Sequence, residues 1–263
     1  MTPRGEPLLR VDRVSLSFKG VKAVSDISFD VAEGEICAII GPNGAGKSSL
    51  LNVVNGVYHP DQGSITFGGQ RRRQMQPHQA ALRGIARTFQ NIALFGGMTV
   101  LENVMTGRNL KQRAGFFSQA LRLPAARAEE RQERDRADRV ITLLRLQKHR
   151  DTRVEQLPYG LRKRVELGRA LAAEPKLLLL DEPMAGMSFD EKEEMSAFIR
   201  DVNRTLGTTI VLIEHDMGVV MGLSDHVVVL DYGRKIGDGT PDEVRNDRQV
   251  IDAYLGVADA VLS

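Results

Sequence analysis

The sequence predicts an α/β fold with a doubly wound, mainly parallel sheet at its core, an antiparallel β subdomain and an inserted α-helical subdomain. Three patterns indicate this fold: apolar runs that each end in polar residues, an alternating N-terminal stretch, and a middle region of helical periodicity. Strands buried on both faces of a parallel sheet appear as unbroken apolar runs, and ligands collect beyond their carboxyl ends. With 263 residues, of which 42% are hydrophobic, the chain can bury a large core.

The N-terminal part alternates apolar and polar residues between positions 8 and 30. Its apolar members are Val14, Leu16, Phe18, Val24, Ile27 and Phe29. Alternation of this kind is typical of half-buried antiparallel strands. We expect these strands, with a further one over residues 63–69, on one side of the parallel sheet.

A glycine-rich loop follows the apolar run of residues 36–40 and leads into a helix start. Its residues are Gly41, Pro42, Asn43, Gly44, Ala45, Gly46, Lys47 and Ser48, followed by Ser49. Backbone N–H groups in such a loop surround an anion, the lysine adds positive charge for the β and γ phosphates, and the Ser48 hydroxyl can bind magnesium. An ordinary turn with a surface lysine is the alternative. The flanking strand and helix favour a site for a nucleoside triphosphate.

Three more apolar runs end in polar residues. They are residues 85–89 before Gln90, residues 177–180 before Asp181 and Glu182, and residues 208–213 before Glu214 and His215. Because the carboxyl ends of parallel strands lie at one edge of a sheet, Gln90, Asp181, Glu182 and His215 are expected to converge on the nucleotide.

Each of these side chains suits a role in phosphoryl transfer to water, which depends on positioning and electrostatic stabilisation. Asp181 is expected to orient Mg²⁺, and Glu182 to polarise the attacking water. His215 is expected to contact the γ phosphate through a ring N–H. Gln90 can reach both the metal and the water, and it leads into the helical region.

Phe18 is the aromatic residue best placed to stack on adenine. Its alternation with Val14 and Leu16 fits a core position nearly as well. Both interpretations stay open from the sequence.

Residues 98–174 change to helical periodicity and are predicted to form a separate helical subdomain. The predicted organisation is a nucleotide-binding core in two parts, residues 1–97 and 175–240, separated by residues 98–174 and followed by a helical extension, residues 241–263. The final helix is expected around residues 242–255. Dense mixed charge over residues 127–139 indicates a solvated helix face.

The charge balance and the cysteine content indicate which partners and which cellular compartment to expect. Thirty-six basic and 34 acidic residues leave a formal net charge of +2, too small for an electrostatic footprint on nucleic acid, so no nucleic-acid partner is expected. Cys37 is the only cysteine, which favours a reducing compartment. We find no signal-peptide pattern and no run of about 18 apolar residues, so the chain is not expected to cross a membrane.

The ordered motifs together resemble those of an ABC-transporter ATP-binding subunit. These motifs are the loop of residues 41–48, Gln90, the stretch 157–171, the acidic strand end at residues 177–183, and residues 213–216. Within that superfamily the stretches 87–91, 94–95, 98–100, 184–187 and 250–256, with the Leu157-Pro158-Tyr159-Gly160 signature, resemble the branched-chain amino acid uptake, or LivG-type, branch. The resemblance covers nearly the whole chain.

That resemblance implies a P-loop NTPase (RecA-like) core and an ATPase that uses ATP and Mg²⁺. It further implies a peripheral subunit on the cytoplasmic face of a bacterial inner membrane, attached to two transmembrane permease subunits. The resemblance also implies a second, similar ATPase as the dimer partner. A periplasmic or lipid-anchored solute-binding protein is implied as an indirect partner. The solute would be a branched-chain or hydrophobic amino acid, an amide or urea.

Two positions depart from the superfamily pattern. Pro158 stands where a signature serine usually donates its hydroxyl to the γ phosphate of the opposite subunit, and proline offers neither hydroxyl nor N–H. The γ phosphate must then be contacted by other groups. These are Tyr159, Gly160 and the start of the following helix, expected over residues 161–173. Ser188 stands where the loop after Glu182 usually carries aspartate. We interpret both as subfamily character and expect hydrolysis.

Two other functions remain as alternatives. One is the ATPase of a lipid or lipopolysaccharide exporter, whose cassette is similar in length. The other is a soluble ABC ATPase acting in DNA repair or on ribosomes, which typically has long coiled-coil insertions or two cassettes. Phe116 and Phe117, in an expected loop of the helical subdomain, are candidates for the permease contact.

Overall fold

The computed structural model describes residues 6–88, 92–108 and 124–253. They form two sheets with helices around them. The predicted combination of a parallel-sheet core, an antiparallel β subdomain and a helical subdomain is confirmed.

The antiparallel sheet has four strands in the order β2-β1-β4-β5. They are β1 (Leu9–Phe18), β2 (Val21–Val31), β4 (Gln62–Phe67) and β5 (Gln70–Arg72). The first two alternate buried and exposed residues, as expected of strands with one face on a core.

The central sheet has six strands in the order β10-β9-β3-β8-β7-β6. They are β3 (Ile36–Ile40), β6 (Ile85–Arg87), β7 (Leu177–Asp181), β8 (Thr209–Ile213), β9 (His226–Asp231) and β10 (Arg234–Gly239). All pairings are parallel except that of β10 with β9. Every residue of β3, β7 and β8 is buried, which is why these strands are continuous apolar runs in the sequence.

Eight helices begin and end within the described part of the chain and surround the sheets. They are α1 (Lys47–Val54), α2 (Pro77–Leu82), α3 (Val100–Thr106), α4 (Pro124–Leu143), α5 (Tyr159–Ala172), α6 (Phe189–Leu206), α7 (Met217–Leu223) and α8 (Pro241–Arg245). Short 3₁₀ turns occupy Gln147–His149 and Val154–Gln156. None of the helices in residues 6–88, 92–108 and 124–253 is both long and apolar enough to span a bilayer.

Two cores lie on opposite faces of the central sheet, and β3 contributes to both. Cys37 and Ile39 face the core shared with α1 and the antiparallel sheet, whereas Ala38 and Ile40 face the core shared with α3, α5 and α6. The antiparallel sheet and the helical subdomain therefore flank the strand that leads into the glycine loop.

Some predicted bounds differ from the observed ones. The signature helix begins at Tyr159, two residues earlier than expected. The single C-terminal helix predicted from residue 242 is wrong: α8 ends at Arg245, and helical structure resumes at residues 248–253. Asp247 causes the restart, because its carboxylate accepts the N–H of Gln249 at 2.8 Å and so caps a new helix.

Candidate active site

The glycine loop lies between β3 and α1, at the carboxyl end of the central sheet. Gly41, Gly44 and Gly46 have φ of 144°, 81° and 97°, a region that favours glycine. A Cβ on Gly41 would lie 2.0 Å from the Leu230 carbonyl oxygen, so β9 closes the loop from one side. The glycines are thus required by the shape of the loop and by the backbone against it.

Lys47 lies inside the loop and is 6% exposed. Its ammonium donates to the carbonyl oxygens of Gly41, at 2.7 Å, and Pro42, at 2.8 Å. Burial lowers the pKa of Lys47, while the charges of Glu182 and Asp181 act in the opposite direction. The ammonium is therefore held where phosphate oxygens would enter the loop.

The remaining loop residues divide by exposure. Asn43, Gly44 and Ser48 are exposed, Ser49 is half-buried, and Ala45 is buried with its carbonyl oxygen bonded to the Gly233 N–H at 3.1 Å. Residues 41–49 thus form one continuous loop and helix start, and their role in binding phosphate stays a prediction.

Glu182 and His215 meet beyond the ends of β7 and β8. Glu182 has φ of 50°, and its N–H donates to the Ile213 carbonyl at 3.0 Å. Its Oε1 lies 2.8 Å from Nε2 of His215. The carboxylate predicted to polarise water and the histidine predicted to contact phosphate are therefore hydrogen-bonded partners.

Asp181 is the last residue of β7, and its side chain is 5% exposed. The Arg87 guanidinium, 7% exposed, donates to its Oδ2 at 2.8 Å. Arg87 also donates to Oδ1 of Asn52 on α1. The sequence alone predicts no role for Arg87 at this site. The only signal for one is a charged residue at the end of a buried strand, which needs a partner.

The second oxygen of Asp181, Oδ1, is buried and has no hydrogen-bond partner among the described residues. A buried, unpaired carboxylate oxygen fits a magnesium ligand, and Ser48 on the first turn of α1 can supply a hydroxyl. Within the described ranges no three His, Cys, Asp or Glu side chains assemble into a metal site. Mg²⁺ here would depend on nucleotide phosphates, as is usual for this ion.

Glu214, 4% exposed, is a second residue of the site for which the sequence alone predicts no role. Its Oε1 accepts the Met184 N–H at 2.9 Å and its Oε2 the His215 N–H at 3.3 Å. Burial raises the pKa of Glu214 above its ordinary value. Glu214 fixes the backbone beside both Glu182 and His215.

Phe18 is 41% exposed at the end of β1 and packs edge-to-face on Tyr58, with ring centroids 5.0 Å apart. It is therefore not a core residue, and stacking on adenine stays a prediction. The hairpin that carries it touches the glycine loop, since a Cβ on Gly46 would lie 2.3 Å from the Ala23 carbonyl oxygen.

The signature residues lie at the start of α5, with Pro158 as the N-cap. The Tyr159 hydroxyl donates to the Ala185 carbonyl at 3.1 Å. A Cβ on Gly160 would lie 2.3 Å from Oε1 of Glu191, so only glycine fits there without a shift of that carboxylate. The contacts of Tyr159 and Gly160 thus connect the signature to residues 185–191, the loop and helix start that follow Glu182.

Gln90, Phe116 and Phe117 lie outside the described residues. Their predicted roles stay predictions.

Sequence comparison places this site in a family. Residues 24–185 match the profile described as ABC transporter, which accounts for more than half of the chain. The chain belongs to the ABC transporter family. Residues 234–260 of this cassette also match the profile described as branched-chain amino acid ATP-binding cassette transporter.

Individual proteins are similar over nearly their whole length. The cassette is 39% identical to the high-affinity branched-chain amino acid transport ATP-binding protein LivG of Salmonella typhimurium, covering 96% of this chain and 99% of that protein. It is 34% identical to the lipopolysaccharide export system ATP-binding protein LptB of Haemophilus influenzae, covering 95% and 97%. The crystal structure of the ADP conformation of MJ1267, an ATP-binding cassette of an ABC transporter, superposes with a TM-score of 0.83 at 30% identity, covering 96% and 100%.

The family confirms the predicted fold and enzyme class. The cassette is an ATP-binding ATPase and a subunit of a transporter complex. The geometry shows which of its residues are close enough to act together on a nucleotide.

Proposed function

We propose that this cassette hydrolyses ATP to drive an importer of branched-chain amino acids or related small solutes such as amides or urea. The observation that carries the catalytic part is the 2.8 Å contact between Glu182 and His215, beside Asp181 and the Lys47 loop. The similarity to LivG and the C-terminal match at residues 234–260 favour this solute class.

In this proposal the glycine loop and Lys47 hold the phosphates of ATP. Asp181 and Ser48 would hold Mg²⁺ together with Gln90, and the ion would supply positive charge that neutralises the phosphates. Glu182 accepts a hydrogen bond from the attacking water, and His215 orients Glu182 and reaches the γ phosphate.

A second, similar ATPase subunit would complete each site. Tyr159, 40% exposed, and Phe189, 73% exposed, lie at the starts of α5 and α6 and provide apolar surface for that partner. The start of α5 would face the γ phosphate of the nucleotide on the partner, with Gly160 allowing close approach.

The two permease subunits would contact a groove between α2, β6 and the end of α5, with residues 98–174 forming the helical subdomain beside it. This cavity of about 220 Å³ is lined by Ala81, Leu82, Ala86, Gly107 and Pro175, among others. Leu82 is 66% exposed. Because β6 ends at Arg87, which contacts Asp181, a permease segment in the groove would lie next to the nucleotide site. The cassette would work at the cytoplasmic face of a bacterial inner membrane, served indirectly by a solute-binding protein.

Export of lipid or lipopolysaccharide is the second candidate, favoured by the similarity to LptB. The match at residues 234–260 to the branched-chain amino acid profile favours import.

Reconstitution with the permeases and the binding protein encoded beside it tests the proposal. Glu182→Gln keeps the size of the side chain but cannot accept a proton, so ATP turnover should fall by about 10²- to 10⁴-fold while ATP binding persists. Leucine uptake into vesicles should stop in parallel. Unchanged turnover would contradict the role of Glu182, and ATP-driven uptake of none of the proposed solutes would contradict the solute class.

A further inference from the structure

The described part of the chain contains one ion pair that involves a residue of the proposed metal site and that the proposed mechanism does not use. The pair joins Arg87 at the end of β6 to Asp181 at the end of β7, 94 residues apart in sequence. Both side chains are less than a tenth exposed. A buried pair of this kind is weak evidence for a role in stability, because apolar side chains of similar volume often stabilise a fold equally well.

The guanidinium binds one oxygen of the carboxylate and leaves the other in place. Arg87 donates to Oδ2, while Oδ1 is buried and without a hydrogen bond among the described residues. A hydrogen bond to one oxygen restrains the rotation of the carboxylate about its Cβ–Cγ bond, and so restrains the direction of the second oxygen.

Arg87 is itself held from a third element. Its second Nη donates to Oδ1 of Asn52, on the helix that begins with Lys47 and Ser48. One planar group therefore connects the helix that carries the Ser48 hydroxyl to the strand that carries the Asp181 carboxylate. Lysine would present its donors from a single nitrogen atom and lacks the fixed plane of the guanidinium.

We propose that Arg87 is a positioning residue for the divalent metal of the ATPase site. It aims Oδ1 of Asp181 at the metal and, through Asn52, sets the distance between Asp181 and Ser48. The inference rests on the proposed metal role of Asp181. Outer-shell partners of metal ligands typically contribute 10- to 100-fold to metal affinity, which sets the size of the expected effect.

The test measures Mn²⁺ binding to the full-length protein saturated with a non-hydrolysable ATP analogue, by the electron paramagnetic resonance signal of free Mn²⁺. Affinity for the analogue without metal is measured in EDTA by calorimetry. Arg87→Gln should weaken Mn²⁺ binding by about 10- to 100-fold and leave metal-free analogue binding within about twofold. A change that only loosened the fold would lower both affinities. Arg87→Lys should recover part of the loss, and Asn52→Ala should show a smaller loss than Arg87→Gln.

Arg150→Gln is the matched control. It removes another Arg–Asp pair, Arg150 with Asp138 at 2.7 Å, in the helical subdomain. Its Mn²⁺ affinity should equal that of the wild type, and thermal unfolding checks that each variant is folded.

Asp181→Asn separates the inference from the proposal beneath it. If Asp181→Asn weakens Mn²⁺ binding and Arg87→Gln does not, Arg87 is only a structural partner and the inference is overturned. If Asp181→Asn itself leaves Mn²⁺ binding intact, the proposed metal role of Asp181 is wrong. Equal losses of metal and metal-free analogue binding in Arg87→Gln would also overturn the inference.

Discussion

At the residue scale, Gly46 is the point where the glycine loop meets both sheets. A Cβ there would lie 2.3 Å from the Ala23 carbonyl oxygen of β2 and 3.6 Å from Cα of Gly233, in the turn between β9 and β10. Gly44, two residues earlier, has a similar φ of 81° but no atom within 4 Å of such a Cβ. A comparison of alanine substitutions at Gly44 and Gly46 therefore distinguishes the effect of backbone strain from that of a steric clash.

Gly44→Ala should cost about 1–2 kcal/mol of unfolding free energy, because alanine is strained at positive φ. Gly46→Ala carries the same strain and also collides with a backbone oxygen that cannot rotate away, so its loss should be clearly larger. Urea unfolding without nucleotide measures both. Equal losses would show that the contact with Ala23 does not constrain the loop.

Much of the site could be predicted from single residues. The glycine loop, Asp181, Glu182 and His215 each occupy a strand end, and strand ends are visible as the limits of apolar runs. Arg87 and Glu214 could not be assigned in this way. Their roles depend on partners brought close by the fold, such as the Arg87–Asp181 contact across 94 residues.

At the scale of elements, Ser188 begins helix α6 in a way that an aspartate at the same position could also do. Ser188 is the N-cap of α6: its Oγ accepts the Glu191 N–H, and Glu191 Oε2 accepts the Ser188 N–H at 2.9 Å. Serine and aspartate cap helices about equally well. The substitution thus preserves the start of the helix that contacts Gly160.

Ser188→Ala should lower the unfolding free energy by about 1 kcal/mol, since the first turn of α6 loses a hydrogen-bond acceptor. Ser188→Asp should match the wild type, because its carboxylate can accept the same N–H. Chemical denaturation of the three proteins under identical conditions measures the difference. An Asp variant as unstable as the Ala variant would contradict the capping role.

The positions of strands could be predicted where every residue of the strand is buried. The strands β3, β7 and β8 coincide with their apolar runs to within one residue. The prediction of a single C-terminal helix was wrong because the Asp247 side chain offers the backbone a competing hydrogen bond.

At the scale of the whole molecule, a buried charge cluster lies at the amino-terminal ends of β3 and β9, away from the glycine loop. His226, 3% exposed, contacts Asp238 at 2.7 Å and Glu35 at 3.6 Å. Burial alone would lower the pKa of His226, but the hydrogen bond with Asp238 and the nearby Glu35 carboxylate outweigh it and raise the pKa to about 12. The imidazolium links β9 to β10 and to the residue that precedes β3.

A raised histidine pKa stabilises the fold fully below the ordinary value of 6.5, and the contribution is lost as pH rises towards the folded-state value. The stability advantage of the wild type over His226→Gln should therefore shrink above about pH 6.5, by at most about 1.4 kcal/mol per pH unit. Denaturation at several pH values measures it. His59→Gln, at an exposed position, is the control and should follow the wild type. Parallel curves for the wild type and His226→Gln would contradict a charged His226.

The bracing of the glycine loop from two sheets has a thermodynamic consequence for nucleotide exchange. Gly46 rests on β2, Gly41 on β9, and Ala45 is bonded to the Gly233 turn. The conformational entropy of the glycine loop is lost during folding. Nucleotide binding therefore does not have to order the loop, and little binding free energy is lost in doing so. Any rearrangement that distinguishes a filled cassette from an empty one therefore belongs to segments that are not clamped on both sides.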